Sequence, residues 1–152
     1  MGAVPVFGVP DGKGAYRARP AAYGLLADGT GKLAVVRIAE ETGIEHDLPG
    51  GALEAGESAA QALAREVIEE TGLALAGAPR LIAQADHYWI KPDGTRLLNR
   101  AQYFAASPGG DTGGKIETDH TLLWLEPVEA IRLMRHDAAA YAIGQWLRSD
   151  RR

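Results

Sequence analysis

The segment GGALEAGESAAQALAREVIEETGL, residues 50–73, constrains the fold of this chain more than any other. Ser58 followed by Gln61 forms a capping-box pair that starts a helix, and Gly72 suits the left-handed position that stops one. At 100° per residue, Ala60, Leu63, Ala64, Val67 and Thr71 share a face, which is assigned to the core. With Val67 as zero, Glu70, Glu66 and Glu69 fall at about −60°, −100° and −160°. Three carboxylates therefore crowd one arc beside the buried stripe, with Arg65 in reach. Such like-charge pairs destabilise a helix by roughly 0.2–0.5 kcal/mol each in water, and by more at the rim of a core. Two things can offset that repulsion: solvation shielded by Arg65, or a hard divalent cation that takes carboxylate oxygens as ligands.

The rest of the chain reads as strands and helices in alternation, with no internal repeat or linker. VPVFGV is a short strand. AAYGLLADGTGKLAVVRIAE is a hairpin turning at DGTG, and TGIEHDLPGG is a Gly- and Pro-rich loop. APRLIAQADHYWI and RLLNRAQYFAAS are two strands joined by KPDGT, followed by the loose connector SPGGDTGGKIETD and the strand HTLLWLEP. Pro127 suits the first position of a helix through about Met134. Asp137 caps a last helix with an apolar stripe of Ala139, Ile143, Trp146 and Leu147. This order predicts an α/β fold, a mixed sheet covered by helices on both faces, in a single domain over residues 1–152.

Composition narrows the function. A net charge of −4 without a Lys/Arg run argues against a nucleic-acid polymer as partner. No apolar run approaches the ~20 residues that span a bilayer, and the N-terminus lacks the pattern of a signal peptide. With 0 cysteines there is neither a disulfide framework nor a thiolate metal site, which suits a reducing, cytoplasmic setting.

The helix is not an arbitrary acidic one. Gly51, Glu57, Arg65-Glu66-Val67, Glu69-Glu70 and Gly72-Leu73 match, at every position, the G-x5-E-x7-R-E-U-x-E-E-x-G-U signature, U being aliphatic. The chain thus resembles the Nudix hydrolase family, with its box at residues 51–73 and LPGG leading into it. The resemblance implies an α/β/α sandwich and a MutT-like pyrophosphohydrolase that cleaves a nucleoside diphosphate linked to a group X. It implies a Mg2+ cofactor, with Mn2+ as a substitute, a small nucleotide-type substrate, no membrane partner, and the homodimers common in the family. Carried over by position, Glu66, Glu69 and Glu70 are metal ligands, joined by the Gly50 carbonyl. Glu57 steadies the site and Arg65 orients the glutamates. Glu66 is the first choice of general base; Glu117 and Asp119 on the later loop are the runners-up, and His120 beside them reads as structural. Arg37 stands where relatives often contact phosphate. Tyr88, Trp89 and Tyr103 could stack on a base, though core or hairpin packing accounts for most of them, and Trp124 reads as core. A Nudix-fold module that binds without cutting is the alternative. The intact set of carboxylates speaks against it, and the missing cysteine speaks against the family's isomerases.

Overall fold

The computed structural model describes residues 2–149; residues 1 and 150–152 of the expected domain lie outside them. The elements run β1 (Val6–Phe7), β2 (Arg17–Leu26), β3 (Leu33–Glu40), β4 (Gly43–Asp47), β5 (Gly50–Ala52), α1 (Ala59–Thr71), β6 (Leu73–Ile90), β7 (Arg96–Asp111), β8 (His120–Leu125), α2 (Pro127–Leu133) and α3 (Asp137–Ser149). A five-stranded mixed sheet has the order β1-β6-β7-β2-β5, and a three-stranded antiparallel sheet the order β4-β3-β8. Among the described residues, no helix is long and apolar enough to cross a membrane.

Strand β2 is buried on both faces and divides the core. Ala21, Tyr23 and Leu25 pack toward α2 and α3, with Ala139, Ile143 and Trp146. Ala22 and Leu26 pack toward α1, with Leu63 and Val67. Period-2 alternation in one strand thus serves helices on opposite faces, the sandwich expected from the sequence.

Several local expectations change. The predicted β2–β3 hairpin closes only through the bridge Ala27–Leu33. Beyond it the strands enter different sheets, β2 pairing with β7 and β5, and β3 with β8 and β4. A turn signal reports where the chain reverses but not which partner each strand keeps. The predicted loop TGIEHDLPGG instead contains the strand Gly43–Asp47 and the start of the strand Gly50–Ala52, because pairing to β3 and β2 outweighs the poor strand propensity of glycine. α1 follows its signals closely. Ser58 accepts from the Gln61 backbone, the Gln61 side chain returns to the Ser58 N–H, and Gly72 stops the helix at φ 82°. Its buried face is turned slightly toward the glutamates: Ala62, Leu63, Val67, Glu70 and Thr71 are buried, and Ala60 and Ala64 only partly. In α3, Asp137 is the first helical residue rather than the cap.

Candidate active site

Edge strand β5 brings α1 to the cleft between the two sheets. A Cβ at Gly50 would lie 2.1 Å from the Ala22 carbonyl oxygen, and one at Gly51 2.8 Å from the Glu66 carboxyl carbon. Two glycines therefore let the glutamates of α1 press against bare backbone. The Gly50 N–H donates to Glu70 Oε1 at 2.9 Å. The result is a small cavity of about 150 Å³ whose lining includes Glu66 and Glu70 from α1, Gly50 and Gly51, His120, Asp47, and the guanidinium groups of Arg19 and Arg135.

Arg65 organises the acidic side. Its Nε lies 2.7 Å from Glu57 Oε2 and its Nη2 2.9 Å from Glu57 Oε1, a bidentate fork. Nη1 donates to Glu66 at 3.0 Å and to Glu69 at 3.3 Å, and Nη2 also caps the Ala52 carbonyl at 3.0 Å. The fork holds the half-buried Glu57 carboxyl down at about 2. Burial raises Glu66, against the pull of Arg65. Burial pushes the Glu70 carboxyl well above its ordinary range; the Gly50 N–H opposes that, while the neighbouring charges of Glu66, Asp47 and Glu117 add to it. A carboxylate in that position lacks positive charge. The donor set, hard oxygens gathered where like charges repel, suits a hard divalent cation.

The loop before β8 is no free connector. β7 continues to Asp111, and the Ile116 and Glu117 N–H groups then donate to the Glu69 carbonyl at 2.9 and 3.0 Å, capping the end of α1. This strap carries Glu117, Asp119 and His120 to the cavity edge. Their ligand atoms all lie within 4.8 Å of one another, which suits a cation as well. His120, read from sequence as structural, places Nε2 3.5 Å from Glu70 Oε2 and Nδ1 2.8 Å from Asp119 Oδ1.

Six sequence-predicted residues, Glu57, Arg65, Glu66, Glu69, Glu70 and Gly50, thus meet at one end of the cleft, with Glu117 and Asp119 beside them. Arg37 does not join them: its side chain is exposed, whereas its neighbours Val36 and Ile38 line the cavity. Strand alternation turns it away. Arg19 and Arg135 supply the positive charge instead. Arg135 is tied to Asp47 and Glu40, each at 3.1 Å. Neither arginine belongs to the box, and no local motif marks them. Tyr103 is core, stacked on Tyr23 with centroids 5.5 Å apart, and Tyr88 packs edge-on against Tyr16. Trp89 differs, with the Arg135 and Arg19 guanidinium carbons 5.0 and 5.5 Å from its ring centroid.

The family model for the NUDIX domain matches residues 17–147. No curated protein matches the chain. A NUDIX hydrolase from Nitrosomonas europaea is similar in structure, with a TM-score of 0.68 and 25% identity, over 86% of this chain and 89% of that one. A MutT protein from Methanosarcina mazei Go1 also has a TM-score of 0.68, at 21% identity over 90% of this chain and 98% of that one. A MutT NUDIX hydrolase from Burkholderia pseudomallei has 0.63, at 23% identity over 85% and 98%. The last two speak for the fold alone. With a family match over most of its length and the whole box assembled on α1 against β5, this chain belongs to the Nudix family and is a pyrophosphohydrolase of it.

Proposed function

We propose that the chain hydrolyses the pyrophosphate bond of a nucleoside diphosphate linked to X, a nucleoside triphosphate or other small nucleotide derivative, with Mg2+ as cofactor. The observation that carries this reading is the placement of Glu66 and Glu70, with Glu69 and Arg65 beside them, where α1 meets Gly50 and Gly51 at a cavity that also holds two guanidinium groups. Phosphoryl chemistry of this kind depends on positioning and charge neutralisation more than on covalent intermediates. Glu66, Glu69 and Glu70, with the Gly50 carbonyl, would hold the metal, which when bound stabilises developing phosphate charge and acidifies water.

The chain's own groups do the rest. Glu66, in the cavity, is placed to take the proton from the attacking water, and Glu117 and Asp119 stand in reserve on the strap. Arg65 keeps Glu57, Glu66 and Glu69 from scattering into solvent. The absence of cysteine supports a cytoplasmic setting.

The test is a hydrolysis screen with Mg2+ against nucleoside triphosphates, nucleotide sugars and dinucleoside polyphosphates, with products resolved by mass and the attacked phosphorus marked by 18O water. At least one compound should give two phosphorylated products. A screen silent with both Mg2+ and Mn2+ would end this reading.

A further inference from the structure

Arg19 is the unusual cation of this molecule. It lines the cavity, yet among the described residues it forms no close ion pair and feels the Glu66 carboxylate only through space. Its Nη1 donates to Asn99 Oδ1 at 2.6 Å and to the Tyr23 hydroxyl at 3.2 Å, both neutral acceptors. Arg135 and Arg65, by contrast, are each held by acids. The neutral contacts fix the side chain without cancelling its charge. Asn99 is fully buried on β7, in register with Arg19 on β2, and its Nδ2 also reaches the Tyr23 hydroxyl at 3.3 Å. The indole of Trp89 bounds the guanidinium on another side. A half-buried charge held this firmly, with donors of its fork unspent, lacks an anion.

The surroundings show which anion fits. Arg135 shares both the cavity and the indole face with Arg19, but Asp47 and Glu40 already meet its charge, so the cation left unmatched at this end of the cleft is Arg19. Glu66 and Glu70 make the other end negative. His87 and His136, stacked 4.1 Å apart near the arginines, stay neutral: burial first, then the proximity of His136 for His87 and the charges of Arg135 and Arg19 for His136, holds both at about 3. A cavity with an acidic and a basic end accepts a ligand that brings a cation to one and an anion to the other. A metal-bound diphosphate has that shape of charge, and the planar fork of arginine matches phosphate oxygens better than a point charge does.

We propose that Arg19 receives the phosphoryl group of the substrate that is not held against the box glutamates, and that it thereby selects diphosphate compounds over monophosphates. This rests on reading the cavity as the pyrophosphate site. The experiment is calorimetric titration of the full chain with imidodiphosphate, a diphosphate analogue that resists hydrolysis, in the presence of Mg2+, beside inorganic phosphate as control. The wild type should bind imidodiphosphate more tightly than phosphate. Arg19→Met should weaken imidodiphosphate by about 10- to 100-fold, the loss expected for a charge-assisted contact, and erase the preference over phosphate. Mn2+ affinity, followed by paramagnetic resonance without phosphate, should stay within about twofold of wild type, since Arg19 is not a ligand. An imidodiphosphate affinity unchanged in Arg19→Met, or a wild type that does not bind the analogue, overturns the assignment. If Arg19→Met does not fold, Arg19→Lys carries the test: it keeps charge and stem but loses the fork, so affinity should fall by about two- to tenfold, and unchanged affinity overturns the assignment. The two readings fail separately. A wild type that binds the analogue but cleaves nothing sinks the hydrolytic function and leaves Arg19 standing; a wild type that cleaves nucleotides with KM unchanged in Arg19→Met sinks Arg19 alone.

Discussion

The charge on each box glutamate does different work, because each meets a different neighbour. Glu70 is buried against the Gly50 N–H, whereas Glu69 is half-buried and shares Arg65 with Glu66. Replacing a ligand carboxylate by an amide keeps size but removes charge, so Glu69→Gln and Glu70→Gln should each lower kcat by at least ~10²-fold on whichever substrate the screen identifies. Undiminished turnover in both would refute the ligand assignment. At the other end of the cleft, His87 has both ring nitrogens buried without a partner and a pKa lowered from 6.5 to about 3, chiefly by burial. It stays neutral in the fold while the unfolded chain takes up its proton. The stability it contributes is therefore whole above about pH 6.5 and declines as pH falls toward 3, by roughly 1.4 kcal/mol per unit. Asp47, Glu66 and Glu70, whose values are raised, act in the opposite direction and gain stability as pH falls. Thermal unfolding of His87→Phe between about pH 6.5 and 4.5 should show a shallower acid decline than wild type, by roughly one proton's worth. Matching slopes would acquit His87.

At the scale of elements, β5 is the piece on which the site turns. Its two glycines look alike in sequence but meet different obstacles. An alanine methyl at Gly50 would meet the Ala22 backbone at 2.1 Å, at a φ of 146°. One at Gly51 would meet only the carboxyl end of Glu66, at 2.8 Å. Gly50→Ala should therefore destabilise the fold by several (~3) kcal/mol in urea unfolding, as backbone must move. Gly51→Ala should leave stability within about 1 kcal/mol of wild type and lower turnover by displacing Glu66. Equal stabilities would show that β5 yields more readily than its contacts suggest. The strap from Asp111 to His120 shows how an element gains its role from pairing. Its glycines suggest slackness, but its N–H groups finish the hydrogen bonding of α1 and bring Glu117 to the site.

For the whole molecule, the core on the two faces of β2 joins residues of both sheets to the three helices of the described residues; calorimetry should therefore record a single cooperative transition. A cation that binds only the folded chain adds stability by mass action. With Mg2+ at a hundred times its dissociation constant, the gain is about 2.7 kcal/mol, a rise in Tm of roughly 5–10 °C. That rise should shrink in Glu69→Gln, measured at the same Mg2+ concentration. An identical rise would place the ion elsewhere, the trio of Glu117, Asp119 and His120 being the first place to look.

What the sequence determined by itself is the local chemistry: α1 with its cap, stop and three-glutamate arc, and the strand and helix order that makes a mixed sandwich. Those depend on residues a few positions apart, whose relation is set by 100° and 180° rotations. Tertiary structure alone decided which strands keep company and which distant groups complete the site. Arg19 and Asn99 meet across 80 residues of chain, and Arg135 and Asp47 across 88. Arg37, at a promising place in the order, points the other way. No short-range periodicity encodes such meetings, because they follow from how β2 and β3 part into separate sheets and open the cleft between them.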